Sequence, residues 1–187
     1  GLKGSTLDID LVFTNDDRQI FKMAAESLGY SEMNAKIVYG EKSNKPIMIK
    51  LDDARLDLFL LNIITSTFSD EMQKRSENNI HQFDENLIIK VADIHDVIIM
   101  KAVTGRMKDE EDIANIINNS KINWEMIIEE VKNQLNLGNE RAILEVGTTF
   151  EELNNKNKAI IPKPVLDKLW SLLNRQVKQV DKNYKKK

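Results

Sequence analysis

No cysteine occurs in the 187 residues. That excludes disulfides and thiolate metal sites and fits a cytoplasmic protein. Only two histidines are present, His81 and His95. They stand far apart without a partner at metal-ligand spacing, so both read as surface residues. No Ser/His/Asp nucleophile set can be assembled around them. No run approaches the roughly 18 apolar residues that a membrane span needs, and no secretory leader pattern opens the chain. The chain begins on Gly1 instead of Met, so further sequence upstream is expected. Aromatic residues are sparse at 6%, and they supply no platforms of the kind on which RNA-binding modules stack bases. No internal repeat is visible.

What remains is an ordinary globular composition, 41% apolar and 30% charged, long enough for one domain or two small ones. The net charge of −3 is unevenly spread. Asn174 to Lys187 carries six bases and one acid, a local +5 that leaves −8 elsewhere. Such a tail reads first as a solubilising end, and second as a weak contact for RNA or another polyanion.

The stretch with the most chemistry lies near the start. Thr6-Leu7-Asp8-Ile9-Asp10-Leu11-Val12-Phe13 alternates with a period of two. Leu7, Ile9, Leu11 and Phe13 share one strand face, while Asp8, Asp10 and Val12 share the other. Alternate residues lie roughly 6.6 Å apart along a strand, so the two acids can converge on one object. A bound cation relieves the repulsion between like charges held that close; an acidic solvent-facing strand is the alternative.

Further along, Thr14-Asn15-Asp16-Asp17 begins a helix whose apolar stripe is Ile20, Phe21, Ala24, Ala25 and Leu28, ended by Gly29. Lys36–Tyr39 and Ile47–Leu51 read as strands. Ala54 to Ile63 is a longer apolar run with Ala54, Leu56, Leu58 and Leu60 on one face and Arg55, Asp57 and Phe59 on the other. Asp57 is thus a lone carboxylate in a nearly all-apolar strand, a costly place for an unpaired charge. Ser66 to Phe83 reads as polar helix from Ser69-Asp70-Glu71, and Asn86 to Ala92 as a strand. Helical patterns then run from Asp93 to Val103, from near Lys108 onwards, over Trp124–Leu137 and Glu140–Leu153, and from Val165 to Val180. The expected division is a mixed α/β part over 1–92 and a helical part over 93–187.

Asp8, Asp10 and Asp57 together put three carboxylates on one sheet, a donor set suited to Mg²⁺ or Mn²⁺. Two such ions about 4 Å apart orient a nucleophile and neutralise a leaving pyrophosphate. Thr6-x-Asp8-Ile9-Asp10-Leu11 followed by Leu56-Asp57-Leu58 resembles the DNA polymerase beta-like nucleotidyltransferase superfamily. The stretch Asp93 to Asp112, with Lys101 on a helix followed by Arg106-x-Lys108-Asp109-x-x-Asp112, is similar to the minimal nucleotidyltransferases related to abortive-infection toxins. The resemblance covers roughly residues 1–120.

It implies an α+β nucleotidyltransferase fold, a mixed sheet with flanking helices, followed by a helical C-terminal region. It also implies transfer of a nucleotide from an NTP to an acceptor hydroxyl on RNA, protein or a small molecule. Asp8, Asp10 and Asp57 would hold the metals. Lys101 would meet the phosphates, with Thr6 and Lys108 as further nucleotide contacts. Asp109 is the polar participant on the far wall, beside Asp112. Without the resemblance, Lys101 is a solvated lysine on an amphipathic helix, and Asp109 and Asp112 are acids favouring a helix N-terminus. The superfamily also has a Gly-Gly or Gly-Ser about a dozen residues ahead of the Asp-x-Asp. Gly4-Ser5 stands four residues from Asp8, so that element would lie upstream of Gly1. The rival expectation is a non-catalytic binding or antitoxin-like scaffold of the same fold, with a protein partner.

Overall fold

The computed structural model describes residues 8–82 and 88–184. The chain divides into two compact units, Lys3–Phe68 and Ser69–Lys187. The change of character expected near residue 92 falls inside the second unit, where a β-hairpin gives way to helices.

The first unit runs β1 (Asp8–Phe13), α1 (Asn15–Ser27), β2 (Ser31–Met33), α2 (Lys36–Tyr39), β3 (Ile47–Leu51), β4 (Ala54–Leu60), β5 (Asn62–Ile63) and β6 (Ser66–Thr67). Four strands form a mixed sheet in the order β1-β4-β3-β2, with β1 parallel to β4 and the other pairs antiparallel. The alternation read from β1 and β4 becomes two faces. On one, Leu11, Phe13, Ile47, Ile49, Leu56 and Leu58 pack with Phe21 and Ala25 of α1. Phe13 and Phe21 stack at 5.0 Å. The other face carries the acids. α1 closes as expected at Gly29: its N–H bonds Glu26 O at 3.0 Å, and that of Tyr30 bonds Ala25 O at 3.1 Å. Gly29 takes φ 99°, the left-handed cap that glycine adopts without a Cβ penalty.

Three local expectations are corrected here. The stripe of α1 is narrower than its pattern, since Ile20 and Leu28 are 66% and 73% exposed and only Phe21 and Ala25 turn to the sheet. Lys36–Tyr39 is a helical turn, not a strand. Asn34 Oδ1 accepts the Lys36 N–H at 3.0 Å and starts it, leaving Ile37 exposed and Tyr39 buried. The run Ala54–Ile63 breaks after Leu60, because Asn62–Ile63 pairs instead with Ser66–Thr67 across a turn in which Ile64 has φ 55°.

The second unit runs α3 (Asp70–Ser76), β7 (Ile80–Gln82), β8 (Ile88–Lys90), α4 (Ile94–Ala102), α5 (Met107–Asn119), α6 (Trp124–Asn136), α7 (Glu140–Asn155) and α8 (Lys163–Tyr184). Ser69 caps α3, accepting the Met72 N–H at 3.2 Å. The helix expected to Phe83 stops at Ser76, and Ile80–Gln82 pairs antiparallel with Ile88–Lys90. The core joins Ile98 and Ile99 of α4, Ile113 of α5, Ile127 and Val131 of α6, Ile143 and Phe150 of α7, and Leu169 of α8, all buried. These lie at the 3.6-residue spacing that the sequence shows. Trp124 meets Phe150 edge-on at 5.9 Å. Among the described residues no helix is long and apolar enough to cross a membrane.

Candidate functional site

The parallel register of β1 and β4 sets Asp10 opposite Asp57 and Asp8 opposite Arg55. Because side chains alternate, all four project from the same sheet face. β3 extends these rows, with Met48 beside Asp57 and Lys50 beside Arg55. The three carboxylates named from the sequence therefore do share a face of the first unit. Asp10 is exposed and Asp8 half-buried, whereas Asp57 is 0% exposed.

Asp57 tolerates that burial because its oxygens are occupied by donors. Oδ2 accepts from the Tyr39 hydroxyl at 2.7 Å and from Arg55 Nη2 at 3.3 Å, and Oδ1 from Arg55 Nε at 2.9 Å. Arg55 Nη2 also donates to Asp8 Oδ2. One guanidinium thus bridges two of the three acids. Tyr39 is anchored by its ring, which meets Phe59 edge-on at 5.8 Å on the same face. That is why Lys36–Tyr39 coils: a helical turn delivers the phenol to Asp57.

Among the described residues no group of three Asp, Glu or His side chains is arranged to hold a metal ion. The donor chemistry nonetheless fits a hard divalent cation, since Asp8, Asp10 and Asp57 offer oxygen alone. The place between Asp8 and Asp57 belongs to Arg55. Thr6 lies outside the described residues.

In the second unit, Lys101 is half-buried. Its Nζ donates to Asp109 Oδ1 at 3.1 Å and to Asp112 Oδ2 at 2.7 Å. Asp109 also accepts from Arg106 Nε at 2.5 Å, from Arg106 Nη2 at 3.1 Å, and from the Thr104 hydroxyl. Burial opposes the Lys101 ammonium, but the hydrogen bonds and charges of Asp112 and Asp109 outweigh it and hold its pKa above the usual lysine value. Burial likewise opposes the Asp109 carboxylate, yet Arg106, Thr104 and Lys101 hold its pKa below the usual range. A carboxylate with four donors on it is built to hold those donors in place. Lys108 is exposed. A cleft of about 210 Å³ opens beside this network, lined by Lys101, Gly105 and Arg106 with Glu145, Thr149 and Glu152 of α7.

Sequence reasoning gave Tyr39, Thr104 and Arg106 no role and placed Arg55 only on the strand face of Asp57. It also missed a second buried network. Arg75 donates to Asp96 at 2.7–3.1 Å and to Glu130 Oε2. Glu130 Oε1 accepts from Ser69 Oγ and Gln134 Nε2, each at 2.9 Å. His95, expected at the surface, is only 8% exposed. Its Nε2 accepts the Asn123 backbone N–H at 2.8 Å, so Nδ1 carries the proton and faces Asp93 Oδ1 at 2.6 Å. That imidazole ties the start of α4 to the start of α6.

Compared with known proteins, the chain matches no family model and no curated sequence.

Proposed function

We propose that the chain is a nucleotidyltransferase that moves a nucleotide from an NTP to an acceptor hydroxyl with Mg²⁺ or Mn²⁺. The observation that carries this reading is the register pairing Asp10 with Asp57, with Asp8 on the same face one pleat away. Asp8, Asp10 and Asp57 are the residues that would hold the ions. Bound there, divalent ions would neutralise the triphosphate and align it for in-line attack.

The protein's own groups do the positioning. Tyr39 fixes Asp57 through one oxygen. In the second unit Asp109 and Asp112 keep the Lys101 ammonium charged and in place, as a point charge suited to phosphate needs to be. Lys108 and Thr6 are the further nucleotide contacts of this reading. The acceptor is RNA, a protein side chain or a small molecule, since this chemistry serves all three.

One observation favours a second reading, a non-catalytic binding or antitoxin-like scaffold. Arg55 already balances Asp8 and Asp57, which is what a purely structural role needs. The test uses each NTP labelled on its α-phosphate, incubated with protein, Mg²⁺ or Mn²⁺, and pooled RNA and protein acceptors. Label transfer and pyrophosphate release that vanish in Asp10→Asn support the enzyme. NTP binding without transfer under any condition supports the scaffold.

A further inference from the structure

Asp57 is sealed. It has no exposed surface, and the donors covering it are the Tyr39 hydroxyl and the Arg55 guanidinium. A divalent cation arrives carrying ordered water and needs open carboxylate oxygens. It has no route to Asp57 while Arg55 lies there. Tyr39 holds one oxygen from α2 and can stay, whereas Arg55 spans both Asp57 oxygens and also Asp8 Oδ2. We infer that Arg55 is a built-in cationic latch: its ion pairs with Asp8 and Asp57 and the binding of a divalent ion by those carboxylates exclude one another.

This inference rests on the metal-dependent reading above and deepens it. Three features make the latch releasable. Lys50 stands directly opposite Arg55 across the β3–β4 pair, and like charges in that position repel. Arg55 is partly exposed, at 22% of its side chain, so its head has water to move into. Asp10, exposed on the neighbouring strand, places a further carboxylate on the same face. With Arg55 in place two of the three carboxylates on that face are paired with a cation, which stabilises the ion-free protein. Its departure exposes the oxygens that an ion requires.

Mn²⁺ titrations of the wild type, Arg55→Met and Arg55→Lys by calorimetry, with melting curves in EDTA, test this. Met keeps the apolar stem, and Lys keeps the charge but cannot fork across two carboxylates. The latch predicts that Arg55→Met binds Mn²⁺ roughly tenfold or more tightly, the scale of coupling between linked sites, and melts lower in EDTA. Arg55→Lys, the variant that folds if Met does not, should bind with intermediate affinity. Equal affinities in all folded proteins would overturn the latch and leave the metal site standing. Absence of Mn²⁺ binding in every protein would overturn both the latch and the metal-dependent reading.

Discussion

The acidic sheet face of the first unit and the buried helical network of the second solve one problem in different ways. In both, a single arginine serves two carboxylates: Arg55 with Asp8 and Asp57, Arg75 with Asp96 and Glu130. Around Arg75 both acids are fully buried, and neutral donors from Ser69 and Gln134 complete the hydrogen bonding. That arrangement ties α3, α4 and α6 together through two buried carboxylates. Around Arg55 only Asp57 is buried, Asp8 is half-buried, and a third acid stands exposed beside them. The first pattern is what a fold needs, and the second is what a site needs. The Lys101 network stands between them, buried at Asp109 and open to a cleft at Lys101.

Arg75→Met should separate the two most sharply. It strands Asp96 and Glu130 without a cation, a loss of about 3–5 kcal/mol, readable in urea unfolding. A loss as small as that of a surface substitution would break the comparison.

Asp109→Asn should cost less, about 1–3 kcal/mol, because Asn still accepts from Thr104 or Arg106 but no longer balances Lys101 and Arg106. The same unfolding experiment checks it. In the enzyme reading its nucleotide affinity falls as well, since Lys101 loses one of its two anchors.

Acidification sharpens the contrast between Asp109 and Asp96. The Asp109 pKa is depressed in the folded protein. Its contribution is therefore present above the unfolded carboxylate pKa and lost as pH falls through the lower, folded value. Asp96 behaves in the opposite sense. Burial raises its pKa, and the proximity of Glu130 adds to that beyond what Arg75 offsets. Its contribution is full below the unfolded pKa and lost as pH rises through the higher, folded value. Stability curves between neutral and acid pH should thus fall less steeply in Asp109→Asn and more steeply in Asp96→Asn than in the wild type. Parallel curves for all three would contradict the assignment.

The smallest effect belongs to Lys108→Ala. Its side chain is exposed, so stability should stay within about 0.5 kcal/mol. Any change should appear in NTP affinity alone, measured by calorimetry.

Much of this was legible in the sequence where pattern is local. The period-two alternation of Asp8–Phe13 and Ala54–Leu60 placed three acids on one face, and the lone carboxylate among apolar neighbours marked Asp57. The helices from Ile94 onwards announced themselves by spacing and by the Asp93 and Asn123 caps. What failed depended on distant partners. Lys36–Tyr39 has β-branched residues, yet the Asn34 side chain starts it as a helical turn and its Tyr39 hydroxyl reaches Asp57, 18 residues on. Arg75 finds Asp96 and Glu130 at separations of 21 and 55 residues, with no periodicity to betray them. His95 looked like a surface residue because its partner, the Asn123 amide, is 28 residues away. Backbone amides leave no mark in a sequence.

The central claim is that Asp8, Asp10 and Asp57 form a divalent-cation site. It is tested most directly by Mn²⁺ binding to the wild type and to Asp10→Asn. Asp10 is exposed, and Asn keeps its size while removing one ligand charge. The account predicts that Mn²⁺ raises the melting temperature of the wild type, with a calorimetric binding isotherm, and that both effects are lost in Asp10→Asn. Equal responses in the two proteins, or none in either, would contradict it.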